Sequence, residues 1–301
     1  MRLLVTGRYG QVARALHDRA RQRTDFEVVL VGRPDLDLER PQTIASAIRS
    51  IAPDMVINAA AYTAVDQAED EPDLAMRINA DAAAELARAT RLEGIPILQM
   101  STDYVFDGTG TQPYTEKDAP NPGTAYGRSK LAGEEAVRLA NPRHLIIRTS
   151  WVYSAYGRNF VKTMLELAQE RELLKVVSDQ VGNPSAAHDI AEGILVAAKA
   201  LADRQDTGRQ LYHLAGSGSA SWFEFARHLF AVSAELGGPT ACVEPISSLE
   251  WPSKATRPIN SQLDCSAFAS DFGYRCGCWQ GSVANVVADL INDTRPAMVS
   301  S

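Results

Sequence analysis

A doubly wound, parallel α/β sheet is the architecture this sequence predicts, on three observations. Short apolar runs alternate with helical patterns over the first 150 residues, the order that builds βαβ units. The first run passes through a glycine turn into a helix. Several runs end in small or hydroxyl-bearing residues, and ligands of open parallel sheets bind outside such strand ends. Residues 1–150 are therefore expected to form a Rossmann-type, NAD(P)-binding domain, with segments near 185–215 returning to its sheet. Residues 151–301 are expected to be mainly a smaller substrate-binding domain.

Leu3-Leu4-Val5 is the first strand and runs into Gly7-Arg8-Tyr9-Gly10-Gln11-Val12-Ala13. Gly7 permits the tight turn, and Gly10 lets a pyrophosphate approach the backbone at the helix N-terminus. Ala13 replaces the third glycine of the commoner motif and is small enough for helix–strand packing. Phe26 to Val31 is the second strand and ends at Gly32-Arg33. An acidic residue there would hold a ribose 2′-hydroxyl, whereas an arginine suits a 2′-phosphate. Arg33, with Arg8, therefore points to NADPH, with NADH as the second choice. Asp37 and Leu38 are placed to border the adenine. A helix follows over 41–51, then the strand Met55 to Asn58, and then the small residues before Ala61-Tyr62-Thr63. Asp66 to Asp73 reads as a solvated loop or helix start. An alanine-rich helix is expected over 74–90, with Asn79 inside it. Asn79 suits tying that helix to a neighbouring strand as well as it suits catalysis.

Ile95 to Met100 is a buried strand that delivers Thr102. Residues 107–124 are rich in Gly, Pro, Thr and Asp and form a loop, placed as a lid over that threonine. The next helix, 125–140, carries Tyr126 and Lys130, four apart and so on one face. An ammonium beside a phenol favours phenolate and lowers its pKa from about 10. A phenol so tuned exchanges a proton with a reacting oxygen, and a hydroxyl at a strand end hydrogen-bonds the same oxygen. Thr102, Tyr126 and Lys130 are thus the candidate catalytic residues, acting on a carbonyl. Leu145 to Thr149 is the following strand, and Trp151 beyond it is placed to stack on a sugar or to fill core. Helices are expected over 160–171, 187–202, 222–235 and 282–290, and strands over 173–177 and 212–215. Arg257, Lys162 and Asn159 are candidates for a substrate diphosphate.

The net charge of -7 argues against nucleic acid or an anionic membrane as the main partner. No apolar run approaches the length that spans a bilayer. The first residues run straight into a strand and leave no room for a signal peptide, so a cytoplasmic location is expected. Cys276-Gly277-Cys278 lacks the two-residue spacer of a zinc knuckle or redox pair. With Cys242 and Cys265 these are expected to be reduced thiols.

These stretches together resemble the extended class of the short-chain dehydrogenase/reductase superfamily, in its branch that reduces 4-keto nucleotide sugars. The resemblance rests on Gly7 to Val12, Asn58 to Asp66, Ser101 to Phe106, Tyr126 to Glu134, Arg148 to Tyr153, Asn159 to Met164, Asp179 to Pro184 and Arg257 to Ser261. It implies NADPH-dependent reduction of the C4 carbonyl of dTDP-4-dehydro-L-rhamnose. Gly10, Gln11, Val12, Asp37, Leu38, Ala61, Tyr62 and Thr63 would line the cofactor. Tyr126 would donate the proton, while Lys130 would bind the nicotinamide ribose and tune Tyr126. Thr102 and Asp103 would contact the sugar, and Trp151 would pack against it. Magnesium-binding glutamates at a dimer interface of some members are Ala15 and His188 here, so the resemblance carries over no metal and not that dimer. Self-association as a homodimer stays open. Two alternatives share the superfamily: a nucleotide-sugar dehydratase or epimerase, and a non-catalytic regulatory subunit like that of methionine adenosyltransferase. The dehydratases place a glutamate after the Thr-Asp pair, where this chain has Tyr104.

Overall fold

The computed structural model describes residues 1–203 and 209–294. Its central sheet has six parallel strands: β1 (Arg2–Thr6), β2 (Glu27–Val31), β3 (Met55–Asn58), β4 (Ile97–Thr102), β5 (His144–Thr149) and β6 (Leu211–His213). Their order is β6-β5-β4-β3-β1-β2. The chain thus turns outward to β2 and then builds in the other direction from β3. The switch point lies between β1 and β3, which is where a doubly wound sheet opens a ligand crevice.

Period-two alternation sends successive side chains to opposite faces. Leu3, Val5, Ile57 and Leu98 enter the core on one face. Leu4, Val56 and Ile97 enter the core on the other. Both faces are covered, so the strands are nearly continuous apolar runs. Five helices do the covering: α1 (Gln11–Arg21), α2 (Pro41–Ile51), α3 (Ala82–Leu92), α4 (Ala125–Ala140) and α5 (Ala187–Asp203). Helices α1 and α5 insert Leu16, Ile190 and Ile194 into the first core. Helices α2, α3 and α4 insert Ile44, Leu86 and Val137 into the second.

A separate apolar core lies beyond β5. There the strand Leu173–Val177 pairs in parallel with Cys242–Ile246. The helix Phe160–Leu167, α6 (Trp222–Glu235) and α7 (Trp279–Thr294) pack around Tyr153, Phe225, Leu229 and Val283. Helix α6 starts at a capping box, with Ser221 and Glu224 satisfying each other's backbone amides. Among the described residues no helix is long and apolar enough to cross a membrane.

The expected helix over 160–171 stops at Leu167, because the residues that follow are polar and mostly exposed. The last helix starts three residues early, at Trp279. The acidic stretch forms two short helices, Val65–Ala68 and Pro72–Met76. A π-helical turn, Arg77–Asp81, then holds Asn79 ahead of α3, an insertion often found near functional sites.

Helix α4 is fixed at its start. The Thr124 hydroxyl accepts the Gly127 N–H at 3.0 Å, and the Glu69 carboxylate accepts the Ala125 N–H at 2.8 Å. Both suit the positive end of a helix. Gly127 packs against the turn Asp103–Val105, where an added Cβ would meet the Tyr104 carbonyl oxygen at 2.1 Å. Gly127→Ala should therefore cost about 1–3 kcal/mol by overpacking. Thermal unfolding of the variant should fall by several degrees, and an unchanged midpoint would refute the tight contact.

Candidate active site

The glycine turn after β1 places its backbone as a dinucleotide needs. Gly7 has φ of 89°, and its N–H is bonded to the Val31 carbonyl at 2.9 Å. Gly10 is the N-cap of α1, which has no side-chain cap and no acidic residue in its first turn. The amide end of that helix therefore faces an incoming anion without competition. These features fit a bound pyrophosphate. Gln11 spends its side chain elsewhere: its carboxamide oxygen accepts from Ser154 at 2.8 Å and Asn159 at 3.0 Å. Val12 packs against the first-face core.

Arg33 stands beyond β2 and is largely exposed, 3.1 Å from Glu39 and 3.5 Å from Asp37. Arg8 pairs with Asp35 at 2.8 Å. Asp37 also accepts the Glu39 N–H at 3.1 Å, and Leu38 packs on the second-face core. Beyond β3, Ala61, Tyr62 and Thr63 form an extended segment. Asn79 holds it: its Oδ1 accepts the Tyr62 N–H at 2.8 Å and its Nδ2 donates to the Tyr62 carbonyl at 3.0 Å. The same Nδ2 donates to Ser129 of α4 at 2.9 Å. Asn79 thus joins the loop after β3 to the helix that carries Tyr126. Burial pushes the Tyr62 phenol up to about 12, helped by its bond to Glu71.

A buried polar row crosses the sheet beneath this crevice. The Thr6 hydroxyl donates to Asn58 Oδ1 at 2.6 Å, and Asn58 Nδ2 donates to Gln99 Oε1 at 2.8 Å. Gln99 Nε2 donates to the Met100 carbonyl at 2.9 Å, and Lys130 Nζ donates to that same oxygen at 2.7 Å. Asn58 and Gln99 were not singled out in the sequence; two amides inside otherwise apolar strands were the available signal.

Thr102 is the last residue of β4. Its hydroxyl donates to Asp103 Oδ1 at 2.8 Å and accepts the Tyr104 N–H at 3.3 Å. Tyr126 is buried, with its ring edge-on to Tyr104 at 5.5 Å. The hydroxyl of Thr102 draws its phenol downward, yet burial dominates and holds it well above its ordinary value. One expectation is corrected here. Lys130 shares the Tyr126 face of α4, but its ammonium is spent on the Met100 carbonyl and does not draw the phenol down. Burial also lowers Lys130, to about 8.

Trp151 lies just past β5 with φ of 46°, which is strained for a large side chain. Its indole stacks on Trp222, ring centroids 3.5 Å apart, and donates to the Ser261 hydroxyl at 3.1 Å. Trp222 had no signal of its own, because only the fold brings it to Trp151. Arg257 is paired with Asp66 at 2.8 Å, and Asp66 also accepts from Ser253 and the Ala255 N–H. Asn159 caps the helix Phe160–Leu167, and Lys162 donates to the Ala155 carbonyl at 3.3 Å. All three diphosphate candidates are therefore already engaged. The loop 107–124 is anchored rather than loose: Asn260 Nδ2 donates to the carbonyls of Gly110 and Gln112, and Tyr114 stacks on Phe106 at 4.2 Å.

The family model described as RmlD substrate binding domain matches residues 1–292. The dTDP-4-dehydrorhamnose reductase of Sinorhizobium fredii is 47% identical over 298 residues, covering 99% of this chain and 100% of that one. Among solved structures, the dTDP-4-dehydrorhamnose reductase of Clostridium acetobutylicum has a TM-score of 0.89 at 36% identity, covering 97% of this chain and 100% of that chain. The dTDP-4-dehydrorhamnose reductase of Bacillus anthracis, solved in complex with NADP, has a TM-score of 0.88 at 33% identity, covering 96% of this chain and 99% of that chain.

Asp103 is almost fully buried, and its Oδ2 has no hydrogen-bond partner. Burial pushes this carboxyl up to about 7, with the Thr102 hydroxyl pulling the other way. The folded chain therefore keeps a proton that the unfolded chain releases near the ordinary carboxylate range. Stability from this group is fully present below about pH 4 and is lost as pH rises towards about 7. Asp103→Asn removes the titration. The unfolding midpoint of the variant relative to wild type should rise between about pH 4 and about pH 7. A constant difference across that range would show that Asp103 does not titrate there.

Proposed function

This chain belongs to the RmlD substrate binding domain family, and from that premise we propose that it reduces the C4 carbonyl of dTDP-4-dehydro-L-rhamnose to dTDP-L-rhamnose with NADPH. The observation that carries the reading is the meeting of Thr102 and Tyr126 at the carboxyl end of β4, in the sheet whose first strand runs into the glycine turn and the uncapped start of α1. When bound, NADPH supplies the hydride to the carbonyl carbon. Tyr126 donates a proton to the carbonyl oxygen as negative charge develops there. Its raised pKa keeps that proton on the phenol at neutral pH. The Thr102 hydroxyl turns from Asp103 to hydrogen-bond the same oxygen, which stabilises the charge where it forms. Lys130 would hold the nicotinamide ribose, from an ammonium anchored on the Met100 carbonyl.

The remaining roles follow the crevice. Gly7, Gly10, Gln11 and Val12 lie along the pyrophosphate, and Arg33 meets the 2′-phosphate. Asp37 and Leu38 border the adenine, and Ala61, Tyr62 and Thr63 flank the cofactor's other side. Asp103 and Trp151 hold the sugar. Arg257 reaches the substrate diphosphate by exchanging Asp66 for it. Residues 1–150 then serve the cofactor and 151–301 mainly the substrate, a division supported by the separate apolar core beyond β5. A cytoplasmic setting is supported by the four unpaired cysteines.

The test is NADPH absorbance with purified protein and enzymatically prepared dTDP-4-dehydro-L-rhamnose. Wild type should consume NADPH and yield dTDP-L-rhamnose. Tyr126→Phe should turn over about two to four decades more slowly while still binding NADPH. Near-normal turnover in that variant would remove Tyr126 as the acid, and an inactive wild type would remove the substrate.

A further inference from the structure

Glu134 stands one helical turn beyond Lys130 on α4 and is 5% exposed. Its carboxylate accepts Arg148 Nε at 2.8 Å, Arg148 Nη2 at 2.7 Å and the Ser101 hydroxyl at 2.5 Å. Ser101 and Arg148 are register partners on β4 and β5. Each immediately precedes the residue that ends its strand, Thr102 or Thr149. The side chains of the ion pair are 3% and 6% exposed. Taking two charges out of water is costly, and apolar residues of similar size often stabilise such a place as well or better. Stability alone therefore does not account for the pair.

Its neighbour does. Tyr126, Lys130 and Glu134 are spaced by four and share one face of α4. The buried Lys130 ammonium has a neutral carbonyl as its hydrogen-bond partner. Glu134 is the charge that acts on it, in opposition to burial. The other titratable or charged groups around this face include Asp103 at the end of β4, Tyr104 in the turn after it, Arg148 on β5 and His213 on β6. Burial, reinforced by Arg148, keeps His213 neutral down to about 3.

We propose, resting on the reductase assignment above, that Glu134 is a positioning residue of the reaction. It keeps the buried Lys130 ammonium charged and, through Arg148 and Ser101, fixes the Tyr126–Lys130 face of α4 on the strand that ends in Thr102.

The chain has only Lys117, Lys130, Lys162, Lys175, Lys199 and Lys254, so isotope-labelled lysine side chains can be followed singly by NMR. Lys130 is assigned by its loss in Lys130→Arg. Removing the carboxylate charge destabilises the ammonium, so in Glu134→Gln the Lys130 titration should move to lower pH, by about one unit. The alkaline limb of kcat/KM should move the same way. Glu134→Gln leaves Arg148 as a buried unpaired charge, so the double variant Glu134→Gln with Arg148→Met is measured beside it. The double variant should fold and show a smaller shift in the same acid-ward direction, because the Arg148 cation is removed with the carboxylate. An unmoved Lys130 midpoint in either folded variant overturns the proposal, even if activity falls. The titration needs no substrate, so its failure is distinct from failure of the reductase assignment, which shows as a wild type that reduces no sugar.

Discussion

The bond from the Lys130 ammonium to the Met100 carbonyl is the contact on which the site depends. It carries a charge into the buried interior, and a buried charge is tolerated only when its hydrogen bonds and countercharge are in place. The Met100 oxygen sits two residues before Thr102 on β4, so the same contact sets α4 against that strand. Tyr126 follows, being four residues earlier on the helix. The cap at Thr124 and the bare backbone of Gly127 then bring the start of α4 down onto the turn after β4. Helix propensity has little part in this. The helix is placed by one ammonium, one cap and one missing side chain.

Much of the fold was legible in the sequence because the sheet is buried on both faces. Its strands are then unbroken apolar runs, and the glycine turn marks where the first of them enters a helix. The strand Cys242–Ile246 escaped notice because its side chains are mostly exposed and it shows no apolar run. The short helix Ser266–Phe272 offered too little length to be periodic. The π-helical turn around Asn79 is a backbone event with no residue signature.

At the site, residue identity was legible and direction was not. Spacing put Lys130 on the face of Tyr126, which is correct, but spacing cannot say which oxygen an ammonium chooses. A backbone carbonyl has no letter of its own, so Met100 was invisible as a partner. Arg257 could be read only as a candidate cation for a substrate diphosphate, and its pairing with Asp66 depends on a fold that joins distant parts of the chain. The same holds for Trp151 and Trp222, whose stacking only tertiary structure creates.

The polar row under the crevice has a sense as well as a path. From Thr6 to Asn58, from Asn58 to Gln99 and from Gln99 to the Met100 oxygen, every arrow of donation runs the same way. Hydrogen bonds aligned head to tail polarise one another. The row therefore behaves as a small oriented dipole chain, with its negative end at Thr6 and its positive, N–H-donating end turned to the Met100 oxygen. Isosteres that look harmless are not equivalent in such a chain. An aspartate in place of Asn58 would keep the shape and lose the donor, leaving two acceptors face to face. The sheet's middle is thus chemically one-directional, although its strands, read by shape alone, are interchangeable apolar rods.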